Sequence, residues 1–181
     1  MDGRGHGRRT ARVLAAAACL LLTGCGLVGA ATTFQGSFTV TSPVVSRDII
    51  PARYTCHGAG LSPPLHWSGA PAGTKSLAVV VDDSDAPLTP YIYWIVFDIN
   101  PTTTDIQAGQ LPPGARQAVN SAGHAAYDPP CPRNQEHTYR FTVYALHSVV
   151  SRPNGTDLKT AWLAISRNAI AHGRLTANAK P

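Results

Sequence analysis

Apolar positions along this chain recur mostly with a period of two, and Pro and Gly interrupt them at short intervals. That pattern predicts many strands and few helices. Phe38-Thr39-Val40 opens one strand, Leu77 to Val81 and Tyr91 to Ile99 read as buried strands, and Thr138 to Leu146 places Tyr139, Phe141, Val143 and Ala145 on one face. From Pro101 to Pro132 the chain reads as irregular, cut by Pro112, Pro113, Gly114, Pro129, Pro130 and Pro132. A loop of that length in a compact domain is either functional or disordered. A helical period returns at Leu158, where Trp162, Ile165, Ser166, Ala169, Ile170 and Gly173 share a face; Asp157 suits the N-cap and Gly173 the stop. The expected fold class is mainly β.

Three carboxylates, Asp82, Asp83 and Asp85, crowd the connection between the two buried strands. Like charges repel there, and a desolvated carboxylate is costly. A metal loop, an acid/base pair, an acidic turn and the rim of a ligand pocket are the candidate explanations. An EF-hand would need a Gly at its sixth position and a closing Glu after Asp83, and neither is present. Zinc would need clustered His and Cys ligands, which the sequence does not supply, so no metal is expected. No Gly-x-Ser-x-Gly or other marked nucleophile occurs, so no catalytic residue is assigned and no cofactor is expected.

The N-terminus restricts the compartment. Arg4, Arg8, Arg9 and Arg12 precede the ten-residue apolar run Val13 to Leu22, which is too short to span a hydrocarbon core of about 30 Å and reads as an export signal. Leu22-Thr23-Gly24-Cys25 resembles a bacterial lipobox, so residues 1–24 are expected to leave and Cys25 to carry lipid. Residues 25–35 then form a short tether and 36–181 one domain, held at the outer face of the cell membrane. Asp2 and the four Arg give the leader +3 of the chain's +5, so the mature chain carries only +2. The high isoelectric point therefore belongs largely to the leader, and no nucleic-acid partner is expected.

Six motifs in order resemble one family. They are Ile50-Pro51-Ala52-Arg53-Tyr54-Thr55-Cys56-His57-Gly58, Ser62-Pro63-Pro64-Leu65-His66-Trp67, Asp83-Ser84-Asp85-Ala86-Pro87, Trp94-Ile95-Val96, Tyr127-Asp128-Pro129-Pro130-Cys131-Pro132 and His137-Thr138-Tyr139. Together they resemble the phosphatidylethanolamine-binding protein family, in its bacterial and archaeal branch often labelled Raf-kinase-inhibitor-like. The resemblance implies a central antiparallel sheet packed with a smaller one, peripheral helices including a C-terminal one, and a small anion pocket at one end. Carried over by residue, the implied pocket contains Asp83, Tyr93, the loop with Pro130, Cys131 and Pro132, His137 and Tyr139. Tyr93 departs from the family, which usually has His there.

Phosphate needs donors, so an ionised Asp83 suits the orientation of a histidine better than direct contact with the anion. A carboxylate beside an imidazole favours the imidazolium, which would make His137 the charged donor of this set, with the Tyr139 hydroxyl and loop amides as neutral ones. Asp85 is expected to cap the turn before Ala86-Pro87, and Asp82 to be a solvated loop carboxylate. Tyr54, Trp67 and Trp94 are expected in the core or a pocket wall.

Cys56 and Cys131 remain in the exported domain, both in loops that the resemblance puts on the pocket side. An oxidising compartment allows a disulfide between them, and two separate thiols remain the alternative. The expected function is a membrane-anchored binding module for a small anion or phospholipid headgroup. A protein-interaction module such as a protease inhibitor, with an unknown protein partner, is the alternative; an unmarked hydrolase is the third reading.

Overall fold

The structure, a computed structural model, describes residues 37–86 and 90–181. The expected leader, the lipidation site Cys25, the tether and Pro87 of the acidic motif lie outside the described residues. In chain order the elements are β1 (Thr39–Thr41), a 3-10 turn (Ala52–Tyr54), β2 (Leu65–Ser68), β3 (Ser76–Asp83), β4 (Tyr91–Ile99), β5 (Asp105–Ile106), β6 (Arg116–Gln117), β7 (His137–Leu146), α1 (Leu158–Asn168) and β8 (Ala169–Ala179).

These strands form two sheets. The larger has the order β6-β4-β3-β7-β8 and the smaller β1-β2-β5, and every ladder within them is antiparallel. The expected mainly β architecture of a large sheet packed with a small one is present. Among the described residues the expected peripheral helices amount to α1 and the 3-10 turn.

β3 is buried along its whole length because both faces of the large sheet are covered at its centre. Leu77, Val79 and Val81 pack with Val40, Leu65 and Trp67 of the small sheet, and with Tyr139, Phe141 and Val143 on β7. Ala78 and Val80 pack on the other side with Ile95, Phe97 and the α1 residues Ala161 and Ile165. A strand covered on both faces loses its polar alternation, which is why Leu77 to Val81 is uniformly apolar. Tyr54, Trp67 and Trp94 are all buried in the core between the sheets.

Asp157 starts α1 as expected, accepting a hydrogen bond from the Thr160 amide at 2.9 Å. The helix does not reach Gly173. Asn168 donates to the Ala164 carbonyl at 2.7 Å, accepts from Ser148 Oγ at 2.7 Å, and its own carbonyl accepts from the His147 amide. That knot ties the helix end to the end of β7, and the chain turns straight into β8 alongside it. Ala169, Ala171, Gly173, Leu175, Ala177 and Ala179 then alternate with more polar or exposed positions, a two-residue period that shares Ala169 and Gly173 with the expected helical stripe. Gly173 has a different use from a helix stop: a Cβ there would collide with the Phe38 carbonyl where the N-terminal segment crosses β8.

Candidate functional site

Asp82 and Asp83 are consecutive residues of β3, so their side chains leave opposite faces of the sheet. Antiparallel pairing with β7 sets Asp82 opposite Arg140 and Asp83 opposite Tyr139. Asp82 is paired through both carboxylate oxygens with Arg140, whose Nε lies 3.2 Å from Oδ1 and whose Nη2 bonds Oδ2. The expectation of a solvated loop carboxylate is corrected: Asp82 is 8% exposed, inside a strand, and held by a two-pronged guanidinium contact.

Asp83, 4% exposed, lies on the other face of the sheet. Its Oδ2 lies 2.8 Å from His137 Nδ1, and its Oδ1 accepts from the Asp85 amide at 2.8 Å. The turn cap expected of Asp85 is therefore supplied by Asp83. Asp85 instead reaches across to β7, accepting from the Thr138 amide at 2.7 Å, while Ser84 donates to the Thr138 carbonyl through both its amide and its hydroxyl. These bonds fix the start of β7, and with it the position of His137. One ring nitrogen is committed to Asp83, and Nε2 has no partner among the described residues. With Nδ1 facing a carboxylate, a neutral ring presents Nε2 as an acceptor and a protonated ring presents it as a donor.

His137 lines a cavity of about 370 Å³ together with Tyr93, Tyr139, Cys131, Pro132 and the segment Arg133 to Gln135. Tyr93 stacks edge-on to Tyr139 with ring centroids 5.3 Å apart, and Tyr91 lies 4.6 Å from Tyr93. Burial, with Asp83 adding to it, pushes the Tyr93 phenol up to about 12. Burial, then the neighbouring Tyr93 and Asp83, push Tyr139 up as well. Both phenols are therefore neutral hydrogen-bonding groups at any physiological pH.

The irregular loop reaches this cavity because it is fastened from behind. A disulfide joins Cys56 and Cys131, and the Cys56 amide donates to the Pro130 carbonyl at 3.0 Å. Tyr127 donates to the Tyr54 carbonyl at 3.2 Å, and Tyr91 donates to Asp128 Oδ2 at 2.7 Å. Pro130 is buried in this anchorage and is not part of the cavity lining; Asp83 sits behind His137.

Arg133, Asn134 and Gln135 were not anticipated from the sequence. Arg133 is exposed and adds a permanent cation to a lining in which His137 had been expected to be the only charged donor. Its position next to the Pro-rich loop and four residues before His137 was the available signal, but only the disulfide-fastened path of the loop brings it to the cavity. Among the described residues, no group of three or more His, Cys, Asp or Glu side chains is placed to hold a metal ion. No helix among them is long and apolar enough to cross a membrane.

Residues 40–180 match the family described as phosphatidylethanolamine-binding protein. A UPF0098 protein of Methanothermobacter thermautotrophicus is 38% identical over 134 residues, covering 71% of this chain and 89% of the relative. A Mycobacterium tuberculosis protein, LppC, named as a candidate lipoprotein, is 40% identical over 140 residues, covering 76% of this chain and 69% of its own. Among solved structures, a crystal structure of a candidate phosphatidylethanolamine-binding protein homologue from Chlamydia trachomatis superimposes with a TM-score of 0.74. It is 34% identical and covers 80% of this chain and 98% of that one.

Proposed function

Because this chain belongs to the phosphatidylethanolamine-binding protein family, we propose that its domain binds a small phosphate-type anion, free or as a headgroup, in the cavity beside His137. The observation that carries this reading is the Asp83–His137 pair, 2.8 Å apart, which orients the ring and leaves Nε2 for a ligand. Arg133 provides a permanent charge, and Tyr93 and Tyr139 provide neutral hydroxyls on the same lining. The carboxylate of Asp83 stands behind the ring, so it shapes the site without facing the anion.

The domain is further proposed to be tethered at the membrane by lipid on Cys25. The sequence Leu22-Thr23-Gly24-Cys25 and the name of the mycobacterial relative support this. A tether would hold the cavity within reach of lipid headgroups, whereas a free phosphate would arrive by diffusion.

Calorimetric titration with inorganic phosphate and with O-phosphoethanolamine tests the site. A charge-assisted hydrogen bond contributes about 1.5–3 kcal/mol, so His137→Ala should weaken binding roughly ten- to hundredfold rather than abolish it, with Arg133 retained. Combining it with Arg133→Ala should remove binding. Undiminished phosphate binding in the double variant would place the ligand elsewhere and end the proposal.

A further inference from the structure

The opposite face of the large sheet carries a second cavity, of about 420 Å³, which the proposed anion site does not use. α1 packs over the part of that face centred on Ala78, Ile95 and Phe97. Beyond it, among the described residues, the cavity lies against the sheet beside Pro90. Val80 and Ile92 form its apolar floor, and Leu158 and Trp162 reach it from α1. Tyr144 stands edge-on to Trp162 with centroids 5.8 Å apart. Trp162 is 36% exposed, unlike the other two tryptophans, Trp67 and Trp94, at 1% and 2%.

The polar end of the cavity is formed by Asp82, Arg140 and Arg174. Asp82 and Arg140 satisfy one another. Arg174 is placed by antiparallel register opposite Thr142 and donates from Nε to its hydroxyl at 2.9 Å. Among the described residues no carboxylate lies within ion-pair distance of Arg174. His172 is the other titratable neighbour, with its ring 5.7 Å from Tyr144. Two guanidinium groups and one carboxylate leave a single positive charge at one end of an apolar trough.

We propose that this groove is a second ligand site, for a small amphiphilic monoanion: a carboxylate bearing an aliphatic tail. The head pairs with the Arg174 guanidinium, and the tail lies along Trp162, Tyr144, Leu158 and Ile92. One uncompensated cation matches one negative charge, while Asp82 at the same end disfavours a dianion such as phosphate. A neutral tail alone would forgo the charge-assisted pairing with Arg174. The two sites are on opposite faces of the sheet, so this one stands or falls independently of the anion pocket.

Sodium decanoate, kept below its micelle concentration, is a suitable probe for the domain. Saturable calorimetric heat is expected, together with a change in tryptophan fluorescence that disappears in Trp162→Phe while the heat remains. Arg174→Gln should weaken decanoate at least tenfold, and Arg174→Lys should restore part of the affinity. His137→Ala or saturating phosphate should leave decanoate binding unchanged. The idea is overturned if no saturable binding occurs, if decanol binds as tightly as decanoate, or if Arg174→Gln folds normally and binds equally well. Displacement of decanoate by phosphate, or its loss in His137→Ala, would assign the ligand to the first cavity and equally overturn the second.

Discussion

Reducing the bond between Cys56 and Cys131 should destabilise the domain by about 2–4 kcal/mol. The partners are separated by 75 positions in sequence. For a loop of that size the chain-entropy relation gives a ceiling of about 4.5 kcal/mol at 25 °C. The realised effect should be smaller, because the same loops are also held by the Cys56 amide on the Pro130 carbonyl and by Tyr127 on the Tyr54 carbonyl, contacts that survive reduction. Residual order in the reduced unfolded chain lowers it further. Urea unfolding with and without reductant measures the difference. With a slope of about 1.5–2 kcal/mol per molar, the midpoint should fall by roughly 1–2.7 M. The double variant Cys56→Ser/Cys131→Ser should match the reduced wild type and be insensitive to reductant. Because Cys131 lines the cavity proposed to hold the anion, phosphate affinity should decline in parallel. A midpoint unmoved by reduction, with both thiols shown to be free, would refute the reasoning.

Tyr93→His should tighten phosphate binding mainly below about pH 6, where an added imidazole is protonated. The native phenol, pushed up to about 12, contributes no charge at any working pH, and calorimetry at acidic and neutral pH compares the two. Asp157→Ala should lower the melting temperature at neutral pH but have little effect in strong acid. The Thr160 bonds hold this carboxyl below its ordinary range, so its stabilisation is present above the unfolded value and is lost as pH falls through the lowered folded one. Thermal melts of both proteins at pH 7 and pH 2 check the sign. Cys25→Ser should move the protein from the membrane fraction to the soluble fraction, since stable anchorage needs more than one acyl chain. A variant that stays fully membrane-bound after leader processing would contradict the lipid anchor.

Much of the fold was legible because burial imposes a period. The alternation of Tyr139, Phe141, Val143 and Ala145, the apolar run Leu77 to Val81 and the Asp157 cap all appear where the residues predict them. The misreading of residues 169–173 has a definite cause. A short segment of small residues satisfies helical and strand spacing together, and the edge of β7 awaiting a partner decides between them.

The candidate site divides along the same line. The family resemblance carried by six ordered motifs brought Asp83, Tyr93, Cys131, His137 and Tyr139 to attention, and the two cysteines left in the exported-type domain raised the possibility of the Cys56–Cys131 link. Only the tertiary structure could decide that Asp82 and Asp83, neighbours in sequence, serve opposite faces: one pairs with Arg140, the other with His137. Strand pleating separates adjacent side chains, and the register against β7 chooses the partner of each; neither depends on the identity of the two residues. The same holds for Arg133 and Arg174. A guanidinium is visible in any sequence, but whether it faces a cavity is set by the path of a disulfide-fastened loop in one case and by the pairing of an edge strand in the other.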